Sequence, residues 1–202
     1  MEKKIIINIG RQFGGGGLGV AYELGKKLGI PVYDKELIAK AAQDSGFSKG
    51  IFEESDEKKR LFSLSSIFAS RFGDTENYMS DRGLFKMQSE TIRKIAEQGS
   101  AIIVGRCADY ILRGYSEVTN VFLYAEEGDK IKRAVEEYGI SEKEAKKIMH
   151  DTDKARANYY NYHTGRKWGD PVNYNLCIDT GYISEDDIVD LILFYVEREI
   201  ER

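Results

Sequence analysis

A run of four glycines, Gly14 to Gly17, lies near the start of this 202-residue chain, and Gly10 and Gly19 flank it. Because glycine has no side chain, the backbone N–H groups of such a run can converge on a phosphate, and a helix that begins there adds the positive end of its dipole. A tight turn needs fewer glycines than this. The run therefore predicts a phosphate-binding loop, which comprises Gly10, Arg11, Gln12, Phe13, Gly14, Gly15, Gly16, Gly17 and Leu18.

The phosphate loop of kinases and ATPases has the form G-x-x-x-x-G-K-[ST]. Gly10 and Gly15 have the required separation, but Gly16 and Gly17 occupy the places of the lysine and of the hydroxyl residue. No other register of the loop supplies those two residues. Arg11 directly follows the first predicted strand, and we interpret it either as a substitute for the missing lysine or as half of a surface salt bridge.

A different class of site has the dinucleotide-binding motif G-x-G-x-x-G, which Gly14, Gly16 and Gly19 fit. Asp34 lies 20 residues after Gly14, near the place of a ribose-binding acid. That motif begins directly after its strand, whereas residues 10–13 intervene here. The length of the loop therefore opposes a dinucleotide-dependent enzyme.

Basic residues occur at two further places where an anion could bind. Arg106 follows the apolar run Ala101–Val104, and a charge at the end of a buried strand needs a dedicated partner. Between residues 151 and 167, basic side chains alternate with tyrosines. This pattern is typical of a lid that closes on phosphates, or of a solvated helix with a packed aromatic face. The basic residues of the segment are Lys154, Arg156, Arg166 and Lys167.

Carboxylates also lie near the ends of predicted strands. One of Asp34, Glu36 and Asp109 could orient an acceptor or help to hold magnesium, and the sequence does not distinguish among them; helix capping is an alternative interpretation of Asp34. The two histidines, His150 and His163, have no cysteine partners with metal-ligand spacing. The sequence therefore assigns no metal ligand.

Five short apolar runs alternate with helical patterns along the chain. Four of the five runs are followed by glycine or aspartate, and short apolar runs closed in this way are typical of strands buried on both faces. They predict an α/β fold with a five-stranded parallel sheet covered by helices on both faces, and ligands of such sheets bind at the carboxyl ends of the strands. The predicted strands are Ile5–Ile9, Ile30–Tyr33, Ala101–Val104, Val118–Tyr124 and Leu176–Ile178.

Local signals also predict where several helices begin and end. Gly29 and Gly139 follow helical patterns and are expected to end them. Ser141 and Glu144 have the spacing of a capping box, so a further helix is expected to begin there. Ser184 is expected to begin the last helix.

The composition excludes several classes of protein. With 42% hydrophobic and 32% charged residues, the chain is neither disordered nor fibrous, and its net charge of -4 disfavours nucleic acid as a partner. No apolar run approaches the length of a membrane span, and no secretory signal is recognised. Two distant cysteines form no disulfide framework, so we expect a cytoplasmic protein without membrane contact.

Residues 61–72 carry a wide apolar stripe at helical spacing. The basic face is too thin for a helix that lies on a membrane surface. Packing into the core is the ordinary interpretation, and a surface for homo-oligomer formation is the alternative. The stripe comprises Leu61, Phe62, Leu64, Ile67, Phe68 and Phe72.

Several segments resemble the cytidylate kinase-like family, a divergent branch of the nucleoside monophosphate kinases. They follow one another in the family's order over nearly the whole chain. The segments are GRQFGGGG at 10–17, GIPVYDKEL at 29–37, IVGRCADY at 103–110, DKARANYY at 153–160 and TGRKWGD at 164–170.

This resemblance implies a kinase fold of the P-loop NTPase type, ATP as phosphoryl donor and Mg²⁺. It also implies a division of one domain, residues 1–202, into three parts. These are a core (1–34, 99–145 and 172–202), a helical monophosphate-binding segment (35–98) and a lid (about 146–171).

The resemblance further implies roles for single residues. Gly14 to Gly17 would cradle the donor phosphates. Arg106 matches the arginine of a Gly-Arg pair that contacts the acceptor monophosphate in true cytidylate kinases. Asp153 and Arg156 match an Asp-x-x-Arg pair of the lid. We therefore predict that the catalytic residues are Arg106, Asp153, Arg156 and Arg166, and that the acceptor is bound by Asp34, Arg106 and Lys167.

Together these features predict ATP-dependent phosphoryl transfer to a nucleoside monophosphate or a similar small phosphorylated acceptor. The alternative is a nucleotide-binding protein that has lost catalysis, which the absent lysine and hydroxyl residue of the loop favour. Nucleotides are the expected partners in both cases.

Overall fold

The structure, a computed structural model, describes residues 4–44 and 82–201. Five strands form one sheet in the order β2-β3-β1-β4-β5, and every neighbouring pair is parallel. The predicted parallel sheet is therefore confirmed. The strands are β1 Ile6–Arg11, β2 Val32–Tyr33, β3 Ala101–Val104, β4 Val118–Tyr124 and β5 Leu176–Asp179.

Helices connect the strands, and several of them begin and end where the sequence predicted. The backbone is left-handed at Gly29 and Gly139, which end their helices, and Ser141 and Glu144 form the predicted capping box. Ser184 caps the last helix through its hydroxyl. The helices are α1 Gly17–Leu28, α2 Lys35–Asp44, α3 Arg82–Gln98, α4 Ala108–Ile111, α5 Glu127–Tyr138, α6 Glu142–Thr164 and α7 Glu185–Ile200.

The central strand β1 separates two apolar cores. Ile7 and Ile9 point into a core that α1 and α7 cover, while Ile6 points into a core that α3, α4 and Tyr160 of α6 cover. Successive side chains of a strand alternate between its faces, so this arrangement buries both sides of the sheet. The carboxyl ends of β1, β3 and β4 then lie at one edge.

A third, smaller apolar cluster lies between α5 and α6. Phe13, from the loop after β1, is buried there among Ala134, Ala145 and Met149. Its ring also stacks on Tyr138, with 5.9 Å between centroids. The phosphate loop predicted from the sequence is therefore anchored by a buried aromatic side chain.

Two predictions concern segments that lie wholly or partly outside the described ranges. The apolar stripe at 61–72 lies outside them, as does the middle of the segment 35–98. Most of the segment 146–171 is the C-terminal part of α6, which runs unbroken to Thr164 and ends at Gly165. Within the described ranges, no helix combines the length and the apolar character needed to cross a membrane.

Candidate phosphate-binding site

The loop between β1 and α1 depends on glycine at two positions. Gly14 and Gly16 have φ values of 68° and 71°, in the left-handed region that favours glycine. A Cβ atom at Gly14 would also lie 2.5 Å from the carbonyl oxygen of Lys130. The loop therefore approaches the start of α5 more closely than another residue type would allow.

Side chains from α5 and α6 hold this loop in place. The Asp153 carboxylate accepts a hydrogen bond from the Phe13 N–H at 2.7 Å and lies 3.4 Å from the Lys130 ammonium. Arg156, one turn further along α6, donates to the carbonyl oxygen of Arg11 at 3.0 Å. Asp153, predicted to be catalytic, therefore positions the loop, and Arg156 contacts the loop backbone directly.

Arg133 of α5 is a second attachment point of the loop. Its guanidinium donates to the carbonyl oxygen of Gly14 and to the carbonyl oxygen of Thr180, the latter at 3.0 Å. It thereby joins the glycine loop to the segment after β5. Neither Arg133 nor Lys130 was predicted from the sequence, because no motif marks them and their roles depend on the packing of α5.

The glycine loop forms one wall of a cavity of about 330 Å³. All nine residues predicted to bind nucleotide, Gly10 to Leu18, line it, as do Arg106 and Arg156. Lys35, at the start of α2, also lines it and was not assigned a role from the sequence. Four basic side chains from β1, α2, the end of β3 and α6 therefore share one cavity.

The basic side chains of this cavity repel one another. Burial lowers the pKa of Arg11 well below its ordinary value, and the charges of Arg156 and Arg106 lower it further. Burial likewise lowers the pKa of Lys35 to about 7, and Arg106 is the charged neighbour that contributes most. Clustered cations of this kind are stabilised when an anion occupies the site.

Arg106 has an unusual backbone as well as a charged side chain. Its φ is 59° and that of Cys107 is 57°, whereas residues other than glycine rarely adopt such values. Gly105 before them has φ 76°, and a Cβ atom there would collide with the Arg11 guanidinium. Glycine at position 105 therefore lets the Arg11 guanidinium approach the backbone directly before Arg106.

Polar and aromatic side chains form a further part of the cavity wall, including Asn8, Asp109, Tyr160 and Trp168. The Tyr160 hydroxyl donates to the Asp109 carboxylate at 2.6 Å, and burial raises the pKa of Asp109. Asn8 of β1 donates to Asn120 through its amide nitrogen at 2.8 Å, while its buried Oδ1 has no hydrogen-bond partner among the described residues. Trp168 also lines the cavity, so this region can contact a ring with polar edges.

Four residues predicted to act in the site do not line the cavity: Asp153, which holds the loop from behind, and Asp34, Arg166 and Lys167. Asp34 caps α2, since its carboxylate accepts from the backbone N–H groups of Glu36 and Leu37 at 3.0 Å each. The Arg166 guanidinium lies 5.3 Å from the centre of the Tyr110 ring. The side chain of Lys167 is exposed. Capping, the alternative interpretation of Asp34, is thus its observed local role, and acceptor binding by these residues stays a prediction.

Comparison of the sequence with models of known protein families identifies the family of this chain. The family model described as "Cytidylate kinase-like family" matches residues 6–182. The chain belongs to the cytidylate kinase-like family. A comparison with curated proteins returned no match.

Solved structures show the same fold as this cytidylate kinase-like chain. An uncharacterized protein from Eubacterium ventriosum is 34% identical, with a TM-score of 0.76 over 97% of this chain and 99% of that one. Shikimate kinase from Bacteroides thetaiotaomicron is 12% identical, with a TM-score of 0.55 and coverage of 96% and 99%. A gluconokinase from Sinorhizobium meliloti is 13% identical, with a TM-score of 0.53 and coverage of 96% and 93%. Family and fold together support a kinase-like phosphotransfer function.

Kinases of this kind generally use Mg²⁺, which is held largely by the phosphates of the substrate and by one or two protein groups. In this cytidylate kinase-like chain, Gly17 stands where the loop hydroxyl belongs. Within residues 4–44 and 82–201, no cluster of three or more His, Cys, Asp or Glu residues could hold a metal ion. The described residues therefore offer no complete protein site for Mg²⁺.

Proposed function

We propose that the chain transfers the γ-phosphoryl group of ATP to a nucleoside monophosphate or a similar small phosphorylated acceptor. The observation that carries this proposal is the convergence of Arg11, Arg106 and Arg156 with the glycine loop on one cavity. Phosphoryl transfer needs little covalent chemistry from the protein, which acts by positioning the reactants and stabilising their charge. A glycine loop beside clustered arginines supplies both.

Each part of the cavity has a role in this proposal. The backbone N–H groups of Gly14 to Gly17 and the start of α1 bind the donor phosphates. Arg106, at the carboxyl end of β3, binds the acceptor phosphate, for which a planar guanidinium offers paired hydrogen bonds. Arg11 and Arg156 line the same cavity and stabilise the charge of the group in transfer. No covalent intermediate with the protein is required.

A second candidate function is nucleotide binding without catalysis. The loop conformation favours it, because Gly16 has a left-handed backbone and a Cβ atom at Gly17 would lie 2.7 Å from the Cβ of Arg11. Neither the lysine nor the hydroxyl residue of the usual loop fits there without a change of conformation. The donor phosphates would then lack two of their ordinary contacts.

ADP formation separates the two functions. The protein is incubated with ATP, Mg²⁺ and each of a panel of monophosphates, while ATP binding is measured by calorimetry. ADP that forms only with one acceptor, and is lost in Arg106→Ala, supports phosphoryl transfer. Arg113→Ala is the matched control, because Arg113 is exposed and lies over the Tyr110 ring. ATP binding without ADP supports the second candidate, and failure to bind ATP contradicts both.

A further inference from the structure

We propose that Lys35, the first residue of α2, supplies a phosphate-binding ammonium to this cavity, and that together with Arg106 it binds the dianionic phosphate of a phosphomonoester acceptor. This inference rests on the proposed function, because it takes the ligand of the cavity to be a phosphate. It adds a residue that the sequence motifs leave without a role, and it specifies the charge of the group bound.

The glycine loop cannot supply this cation itself. At Gly16, the place of the usual lysine, φ is 71° and a Cβ atom would already lie 3.7 Å from the Arg133 guanidinium. At Gly17 a side chain would meet the aliphatic part of Arg11. A compact ammonium that reaches the phosphates must therefore come from another element.

Lys35 is placed to do so, because α2 brings it to the same cavity. It is half-buried and lines the same cavity as the glycine loop and Arg106. The residue before it, Asp34, directs both carboxylate oxygens elsewhere: one accepts from two backbone N–H groups of α2, and the other from the Tyr22 hydroxyl at 3.2 Å. The start of α2 is thereby fixed with Lys35 at the cavity.

The charges around Lys35 explain which ligand suits it. Arg106 from the end of β3, Arg11 from β1 and Arg156 from α6 all disfavour its protonated form, and the neighbouring Glu36 favours it. With three guanidinium groups nearby and burial acting in the same direction, its pKa is about 7. An anion with two negative charges reverses this balance, because it attracts the ammonium more strongly than a singly charged carboxylate or phosphodiester would.

Binding of a dianion is therefore expected to bring a proton with it. Above neutral pH the amine of the empty site is largely neutral, and the bound anion raises its pKa, so that a proton is taken from the buffer. At about pH 8, one pH unit above the pKa of Lys35, the uptake should approach one proton per site. Well below neutral pH it should vanish, since Lys35 is already charged.

Calorimetry with the full chain tests this. Sulfate is the probe, because it is a phosphate-shaped dianion that does not titrate near neutral pH. The binding enthalpy is measured in two buffers of different ionisation enthalpy, which gives the number of protons taken up. Lys35→Arg should keep the affinity but lose the proton uptake. Lys35→Met should lose the uptake and bind about 10- to 100-fold more weakly, as expected for a lost charged hydrogen bond.

Lys40→Met is the matched control, because Lys40 lies exposed on the same helix. It should leave affinity and proton uptake unchanged. Sulfate binding by Lys35→Met that equals wild type in affinity and in proton uptake would overturn the inference, as would an absence of sulfate binding by the wild type. Proton-linked sulfate binding in a protein that forms no ADP would contradict the proposed phosphoryl transfer and support the role of Lys35.

Discussion

Replacing Arg106 by glycine and by alanine separates the backbone of this residue from its charge. A left-handed backbone costs an ordinary residue about 1–2 kcal/mol, and glycine avoids that cost. Elsewhere in a folded chain, glycine is less stable than alanine by roughly 0.5–1 kcal/mol because of its backbone entropy. At φ 59° the first effect is the larger one, so Arg106→Gly should be more stable than Arg106→Ala by about 0.5–1 kcal/mol.

Both variants should lose phosphate binding to the same extent, because both lack the guanidinium. Loss of a buried charge-assisted contact costs on the order of 2–4 kcal/mol, or roughly 30- to 1,000-fold in acceptor affinity. Arg106→Lys should recover part of it, since an ammonium provides charge without paired hydrogen bonds. The side chain thus acts on binding, while the backbone acts on stability.

Thermal melts and titration with sulfate or a monophosphate measure the two effects separately. For a chain of this size, about 1 kcal/mol corresponds to roughly 2–4 °C in Tm, so the glycine variant should melt measurably above the alanine variant. If alanine melts at or above glycine, the backbone at Arg106 is not strained. If both variants bind as tightly as wild type and melt early, Arg106 is a structural ion-pair partner and the acceptor site is wrong.

Three further changes give distinct outcomes. Asp153→Ala leaves the Lys130 ammonium without its carboxylate, so it should lower the free energy of unfolding in a denaturant titration by about 3–5 kcal/mol. Asp153→Asn should lower it less, because the amide oxygen still accepts from the Phe13 N–H. Equal losses in the two variants would contradict this. Gly16→Lys, which restores the usual loop lysine, should lower Tm by about 2–4 °C and leave the rate of ADP formation no higher, because φ there is 71°. Burial raises the pKa of Asp109, so its ionisation weakens the fold. The Tm of wild type should therefore fall relative to the Tm of Asp109→Asn as the pH rises from about 4, the pKa of an aspartate in the unfolded chain, through the higher pKa of Asp109 in the folded protein. A difference in Tm that stays constant with pH would refute this.

The sheet and many helix ends could be predicted because their signals are local. Apolar runs closed by glycine mark strands buried on both faces, and a left-handed helix end at Gly29 or Gly139 requires only that residue and its neighbours. The capping box of Ser141 and Glu144 likewise spans a single turn. Such features do not depend on which distant segments meet in the folded protein.

Only those parts of the site could be predicted that a local sequence pattern marks. The glycine loop and Arg106 stand at strand ends, so their convergence followed from the parallel sheet. Arg133 could not be found, because its partner Gly14 lies 119 residues earlier in the sequence. Lys130 could not be found either, because it acts through Asp153, whose own loop partner, Phe13, lies 140 residues earlier. Lys35 had a usable signal, since it follows the second strand at the ligand edge, but its role emerges only from the arginines around it.

The bond between the Phe13 N–H and Asp153 also has a consequence for the synthesis of the chain. β1 and its glycine loop leave the ribosome first. β1 can pair on both sides only after β3 and β4, its neighbours in the sheet, have been synthesised. The contact between the loop and α6 can form only later, because the Phe13 N–H donates to the carboxylate of Asp153, 140 residues downstream. Domains fold as units during translation. A nascent chain that ends before residue 153 therefore contains every glycine of the loop but lacks the carboxylate that accepts from the Phe13 N–H.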